Sequence, residues 1–241
     1  DVPDVALKPE KMLDVEFGYS FQSEKVGASV NVYLMEYWDM LLETGKLSNV
    51  GYAIKENVDR GWRRGLELCA SYEPLKWLRA DANITLSSNK IRDYKEYVQN
   101  VDTYDNWAMT GRTTMYEYGN STMLMSPSVT GMMKLTFIPW KKAAVSIDGK
   151  YVGMQYLDNT MTLSRSIPSY FVSNLSVSHT FDLNRGSLGL ALYVNNLFNN
   201  MYYADGWCWK NIIEEDGALV DGIGIYPQAP VNYMLKASYR F

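Results

Sequence analysis

Apolar and polar residues alternate with a period of two at intervals along the whole chain. In the last eleven residues Val231, Tyr233, Leu235, Ala237, Tyr239 and Phe241 share one parity, and Asn232, Met234, Lys236, Ser238 and Arg240 share the other. A strand so patterned sets one wall against an apolar medium and the other against water. The same pattern runs through Leu13–Phe21, Ala28–Leu34, Leu66–Tyr72, Leu78–Leu86, Val129–Phe137, Val145–Tyr151, Phe171–Phe181 and Leu188–Val194. The pattern therefore predicts nine strands. The fourth is the most strictly segregated, with Leu78, Ala80, Ala82, Ile84 and Leu86 opposed to Arg79, Asp81, Asn83, Thr85 and Ser87.

The connections alternate as well. Short turns are predicted at Ser23–Val26, Glu73–Lys76, Ile138–Lys141 and Asp182–Gly186. Long connections run through Gly45 and Gly51 to about Arg60, and then over Ser88–Leu124, Met154–Ser169 and Asn199–Ala229. Short turns at one end and long loops at the other are the rhythm of an outer-membrane barrel. A soluble sandwich has no reason to gather its long loops at one end. The expected fold is thus an all-β, transmembrane, antiparallel up-and-down barrel wall. Single-chain bacterial barrels have even strand numbers, so nine strands imply part of a larger barrel. Arg79, Lys134, Lys150 and Lys236 all fall on the polar parity and are expected to face the lumen, since a cation facing lipid at mid-bilayer costs about 2–4 kcal/mol.

Composition narrows the reading. Aromatics make up 14% of the 241 residues, with 19 Tyr, while mean hydropathy is −0.24. That combination suits a sheet with one greasy and one wet face. The net charge of −4 shows no basic stripe for nucleic acid. No apolar run reaches the roughly 18 residues of a membrane helix, whereas barrel strands need only about ten alternating residues. Asp1-Val2-Pro3-Asp4 has no leader character, so either a leader has been removed or this is a piece of a longer chain. Cys69 and Cys208 are expected on the lumen face near a short turn and in an outer loop respectively, too far apart to pair.

Candidate chemistry is sparse. His179 is the single histidine and lies on the apolar parity, which argues against a catalytic triad. No enzyme activity, cofactor or metal site is expected. Outer-loop methionines such as Met109, Met115 and Met161 would suit Cu(I), and equally fill gaps. Tyr94, Tyr97, Tyr104, Trp107, Tyr116 and Tyr118 in one long connection, and Trp207 and Trp209 in another, are the ligand-binding candidates, because aromatics offer large contact area at low entropic cost. The bland reading of the same residues is loop packing or an interfacial girdle.

Four landmarks resemble a known family. Asn195-Asn196-Leu197-Phe198-Asn199-Asn200-Met201-Tyr202-Tyr203 is similar to the N-L-F-N-x-x-Y signature of TonB-dependent outer-membrane receptors. Tyr226-Pro227-Gln228-Ala229-Pro230-Val231-Asn232-Tyr233, running on to Phe241, resembles the family's last strand. Leu7-Lys8-Pro9-Glu10 with Glu16 and Gly18, and Asn57 with Arg64-Gly65-Leu66-Glu67, resemble two earlier motifs in the family's order. The resemblance implies that residues 1–241 are the carboxy-terminal part of a 22-stranded barrel whose plug domain is absent here. It implies an outer-membrane receptor for a scarce nutrient, with a metal chelate (ferric siderophore, haem or cobalamin) leading. The implied partners are outer-membrane lipid, the TonB complex through the plug, the barrel-assembly machinery reading Phe241, and a small-molecule ligand. Glycan import by the same family, and a soluble all-β carbohydrate-binding or adhesion module, are the alternatives.

Overall fold

The computed structural model describes residues 7–48 and 51–241; Asp1–Asp4, considered above for a leader, lie outside them. β1 (Lys11–Gln22) pairs with β2 (Val26–Leu47), β2 with β3 (Ala53–Leu75), and β3 with β4 (Leu78–Arg92). The chain then leaves this sheet for the hairpin β5 (Lys95–Asp102) and β6 (Ala108–Glu117), and β7 (Ser121–Thr122) returns to the end of β4. β8 (Val129–Phe137) and β9 (Ala143–Val152) resume the sheet. A short ladder of β10 (Gln155–Tyr156) and β11 (Ser166–Ile167) follows, and β12 (Tyr170–Leu183) and β13 (Gly186–Asn195) then continue the sheet. A second excursion, β14 (Tyr203–Ile213) and β15 (Leu219–Pro227), precedes the last strand, β16 (Asn232–Arg240).

The main sheet is antiparallel in the order β1-β2-β3-β4-β8-β9-β12-β13-β16, with β7 attached to β4. These nine strands in a row are the nine that the alternation predicts. β1 and β16 have no partner strand on their outer edges among the described residues.

Register shows why the alternation matters. Val26, Tyr72, Ala80, Leu135, Ile147, Leu175, Val194 and Tyr233 are successive partners across eight strands. On the opposite parity Ser71, Asp81, Lys134, Asp148 and Asn174 form a polar row, where Asn174 Nδ2 donates to Asp148 Oδ1 at 2.8 Å. Arg79, Lys134, Lys150 and Lys236 all lie on that polar face. The apolar row starts at the first residue of β2, beside a short turn, and ends at the second residue of β16, beside a long connection. A row that climbs from one end of the wall to the other is the stagger of tilted barrel strands.

The apolar face is uncovered. Phe17 is 74% exposed, Leu235 75% and Tyr233 70%. A sandwich would bury one such face against a second sheet about 10 Å away, and an uncovered apolar face this wide demands an apolar medium. The buried core is instead a small cluster of Met40, Ile91, Tyr94 and Met123 at the long-loop end.

Three expectations need correction. The connections through Gly45 and over Ser88–Leu124 and Asn199–Ala229 are largely strand: β2 and β3 run for 22 and 23 residues, twice what a tilted crossing needs. Asp39 adopts φ 54°, so Trp38 and Met40, of equal parity, point to opposite faces, and a fixed two-residue period is lost there. The second short turn lies at Lys76-Trp77, with Pro74 inside the irregular end of β3, where no ladder donor is needed. Met154–Ser169 also holds the β10–β11 ladder and a 3-10 turn at Leu163–Arg165.

Replacing Leu68, central in the apolar band, by Lys is expected to destabilise the folded protein by about 2–4 kcal/mol, whereas Cys69→Lys on the opposite face costs under about 1 kcal/mol. Urea unfolding in lipid vesicles would measure both, and equal losses would invert the face assignment.

Candidate ligand-binding face

The sequence landmarks act first as architecture. Asn57 Oδ1 accepts the Lys8 amide at 2.7 Å while its Nδ2 donates to the carbonyls of Lys8 (2.9 Å) and Asp39 (2.7 Å), and Glu10 accepts the Leu41 amide at 3.0 Å. The first motif is thereby sewn to the second. Asn31 donates to Glu16 (3.2 Å) and Glu67 (3.4 Å), joining the same two motifs lower down. At Asn196 the backbone turns left-handed (φ 51°) and β13 ends. The Asn196 side chain, which is buried, serves the Asn200 and Ala229 carbonyls and the Asn200 amide, and Asn199 Oδ1 accepts the Val231 amide. Three strand ends are held by two asparagines.

Above this rim the excursions fuse. β14 pairs in parallel with β5 through Ile212–Asn100 and Ile213–Val101, giving a four-stranded sheet in the order β15-β14-β5-β6. A buried ionic cluster locks it. Asp158 Oδ2 accepts from Arg165 Nε and from Lys210 Nζ, each at 2.7 Å; Arg165 also reaches Asp221, and Lys210 reaches Glu96. Thr160 and Thr162 Oγ1 each accept from Arg165 Nη2 at 2.9 Å, and Thr160 Oγ1 donates to Asp158 Oδ1 at 2.6 Å. Arg165 is 3% exposed and Glu96 4%. Buried charges persist only when paired and hydrogen-bonded in this way. Burial opposes ionisation of Asp158, yet the hydrogen bonds from Lys210 and Thr160 and the Lys210 charge hold its pKa at about 2. Burial, followed by the charge of Asp158, pushes the neighbouring Cys208 thiol up to about 11. Cys69 and Cys208 are both free, and Cys69 lies on the polar face opposite Ser29 and Asn83.

The aromatic candidates part company. Tyr94 is sealed in the small core, its hydroxyl donating to the Glu43 carbonyl at 3.1 Å, and Tyr118 stacks on it with ring centroids 6.1 Å apart. Burial and then Glu96 raise the Tyr118 hydroxyl to about 12. Both pack in or against the small core. Tyr116 is half-buried opposite Glu96, while Tyr104 and Trp107 are exposed at the tip of the β5–β6 hairpin. Tyr97 lies under Lys46 Nζ, 4.2 Å from its ring centroid, and lines a cleft of about 540 Å³ with Lys55, Gln99, Met109 and Thr113. Trp207 and Trp209 lie across Gly224 and Gly222 of β15, where an added Cβ would meet Trp209 Nε1 at 2.6 Å. Both indoles remain exposed. His179 packs edge-on against Phe181, centroids 4.3 Å apart, and near Trp140 beside a short turn. Phe241 is fully exposed at the end of the chain.

In the sequence Asp158, Glu96 and Asp221 register only as members of an acidic set in the outer loops, while Arg165, Lys210 and Thr160 carry no signal. No three His, Cys, Asp or Glu side chains are gathered to hold a metal ion among the described residues.

The family model for "TonB dependent receptor-like, beta-barrel" matches residues 1–197. No curated protein sequence matches the chain. Among solved structures the chain is similar to the ferric citrate transporter FecA in its unliganded form, at 20% identity over 96% of this chain and 32% of that one, with a TM-score of 0.67. It is similar to the copper transporter OprC at 18% identity over 98% and 33%, TM-score 0.67. It is also similar to the ferric-catecholate import receptor Fiu from K12 E. coli at 14% identity over 96% and 28%, TM-score 0.61. These likenesses are of fold, and the chain spans about a third of each neighbour's length.

Arg165→Met leaves Asp158 and Asp221 without their shared cation and is expected to destabilise the loop sheet by about 3–5 kcal/mol, read as faster proteolysis at the β14–β15 hairpin with the barrel wall intact. Because the Asp158 pKa is depressed by folding, its stabilisation is complete above its ordinary pKa of 3.8 and is lost as pH falls towards about 2. Outer-loop hydrogen exchange should therefore be flat from neutral pH to about 4 after correction for intrinsic rates, and accelerate below.

Proposed function

Since this chain belongs to the TonB-dependent receptor-like β-barrel family, whose place is the outer membrane, we propose that it forms the carboxy-terminal wall of a receptor that imports a scarce nutrient. The supporting observation is the division of labour in one sheet: an uncovered apolar face, a polar concave face, and every excursion fused at a single end around exposed aromatics. On this reading the missing strands close a 22-stranded barrel around a plug that couples to TonB, and Phe241 is read by the assembly machinery.

The favoured cargo is a metal chelate, whether a ferric siderophore, haem or cobalamin. The neighbouring structures are named for ferric citrate, ferric catecholate and copper, which supports a small metal-bearing cargo without choosing among them. On this chain the cleft beside Tyr97 offers an aromatic ring and the ammonium group of Lys55 to an anionic chelate, while the Lys46 ammonium over that ring is paired with Glu56 at 2.6 Å. A second reading, glycan import, draws on Trp207 and Trp209, whose exposed indoles lie over Gly224 and Gly222 and offer aromatic surface of the kind that stacks on sugar rings.

Cells carrying the intact receptor, starved of iron, are expected to accumulate labelled ferric chelate in a TonB-dependent manner, and Tyr97→Ala to weaken chelate binding roughly tenfold. Uptake that persists without the receptor or without TonB overturns the transport reading. A requirement for the receptor during growth on an oligosaccharide, abolished by replacing both tryptophans with Ala, selects the glycan.

A further inference from the structure

The convex face of β1–β4 changes character above the apolar band. Leu66 and Leu86 still belong to the band. Two residues further out lies the exposed Arg64, then Trp62, and then a row of register partners across four strands: Lys11, Trp38, Arg60 and Arg92. The direction of these side chains follows from their neighbours. Gly61 and Ile91 face the concave core, where a Cβ on Gly61 would strike Met40, so Arg60 and Arg92 face outward, and both are exposed.

This patch holds more positive than negative charge. Its carboxylate Glu36 is already taken by Arg64, Lys90 Nζ is turned to Thr122 Oγ1 at 2.7 Å, and Asp59 and Asp93, which share a cleft with Arg92, form no ion pair with it. Lys11, Arg60 and Arg92 make no ion pair among the described residues. Arg60 and Arg92 stand directly opposite each other, an arrangement that is unfavourable unless an anion sits between the two like charges. Height identifies the anion. Eight residues separate Arg60 from Leu68 at mid-band, about 20 Å along the membrane normal for strands tilted at about 40°, which is headgroup level rather than open water. Trp38 and Trp62 are the amphipathic residues favoured at that depth.

We propose that this face binds the phosphate-bearing headgroup of an outer-leaflet lipid, with the phosphate gripped by Arg60 and Arg92, Lys11 at its flank, and the acyl chains running down past Leu66 and Leu86. Guanidinium forks match phosphate oxygens in pairs. The inference rests on the outer-membrane placement and is independent of the cargo.

The test uses the intact receptor in neutral detergent, titrated by native mass spectrometry with phosphatidic acid, with diacylglycerol of the same chains, and with inorganic phosphate. Phosphatidic acid should be retained and diacylglycerol should not. Arg60→Gln with Arg92→Gln should bind about thirtyfold more weakly, while Lys236→Gln on the concave face binds as the parent does. Should the double variant lose its heat-modifiable gel shift, Lys11→Gln, which leaves the β3–β4 pair untouched, should still weaken binding about fivefold. Equal retention of the two lipids, or unchanged binding by the folded variants, overturns the proposal. So does inorganic phosphate that binds as tightly as the lipid, which would make this a free-anion site.

Discussion

A strand crossing lipid has no water to satisfy its peptide groups, so each must find its partners on the neighbouring strands. The rest of this structure depends on that constraint. It imposes long ladders between β1 and β4 and between β8 and β16, interrupted only towards the ends of β2 and β3, and the ladders fix the register. Once register is fixed, parity alone decides which side chains meet hydrocarbon. Beyond the membrane the constraint lapses, and there the backbone admits left-handed residues at Asp39, Asp93 and Asn196.

The two kinds of asparagine landmark show how the wall is finished where ladders stop. Asn57 replaces missing ladder partners for the segment leading into β1, and Asn196 does so where the chain leaves β13 and where it approaches β16. Each supplies both a donor and an acceptor from one planar amide, which is what a backbone group at a frayed edge requires. These residues are rim fasteners.

Legibility in the sequence followed the range of the forces involved. The nine strands and their faces were readable because lipid acts on every second residue alike, as in Leu78 to Leu86. The length of β2 and β3 was hidden by a single left-handed residue, Asp39, whose effect on parity has no compositional marker. The ionic cluster was illegible for another reason. Glu96, Asp158, Arg165, Lys210 and Asp221 come from four separate segments, and pairing between distant loops leaves no periodic trace. Among the aromatics, Tyr94 and Tyr97 are three residues apart, yet one is sealed beneath the sheet and the other lines a cleft.

The parallel junction of β5 with β14 has a mechanical meaning. One hairpin springs from β4 and the other from between β13 and β16, with β8, β9 and β12 lying between their roots. The junction is thus a tie-rod drawn across an arch, and the arch cannot flatten without stretching it. The curvature of this part of the wall is set from above the membrane, by two residue pairs and the charges clamped beneath them.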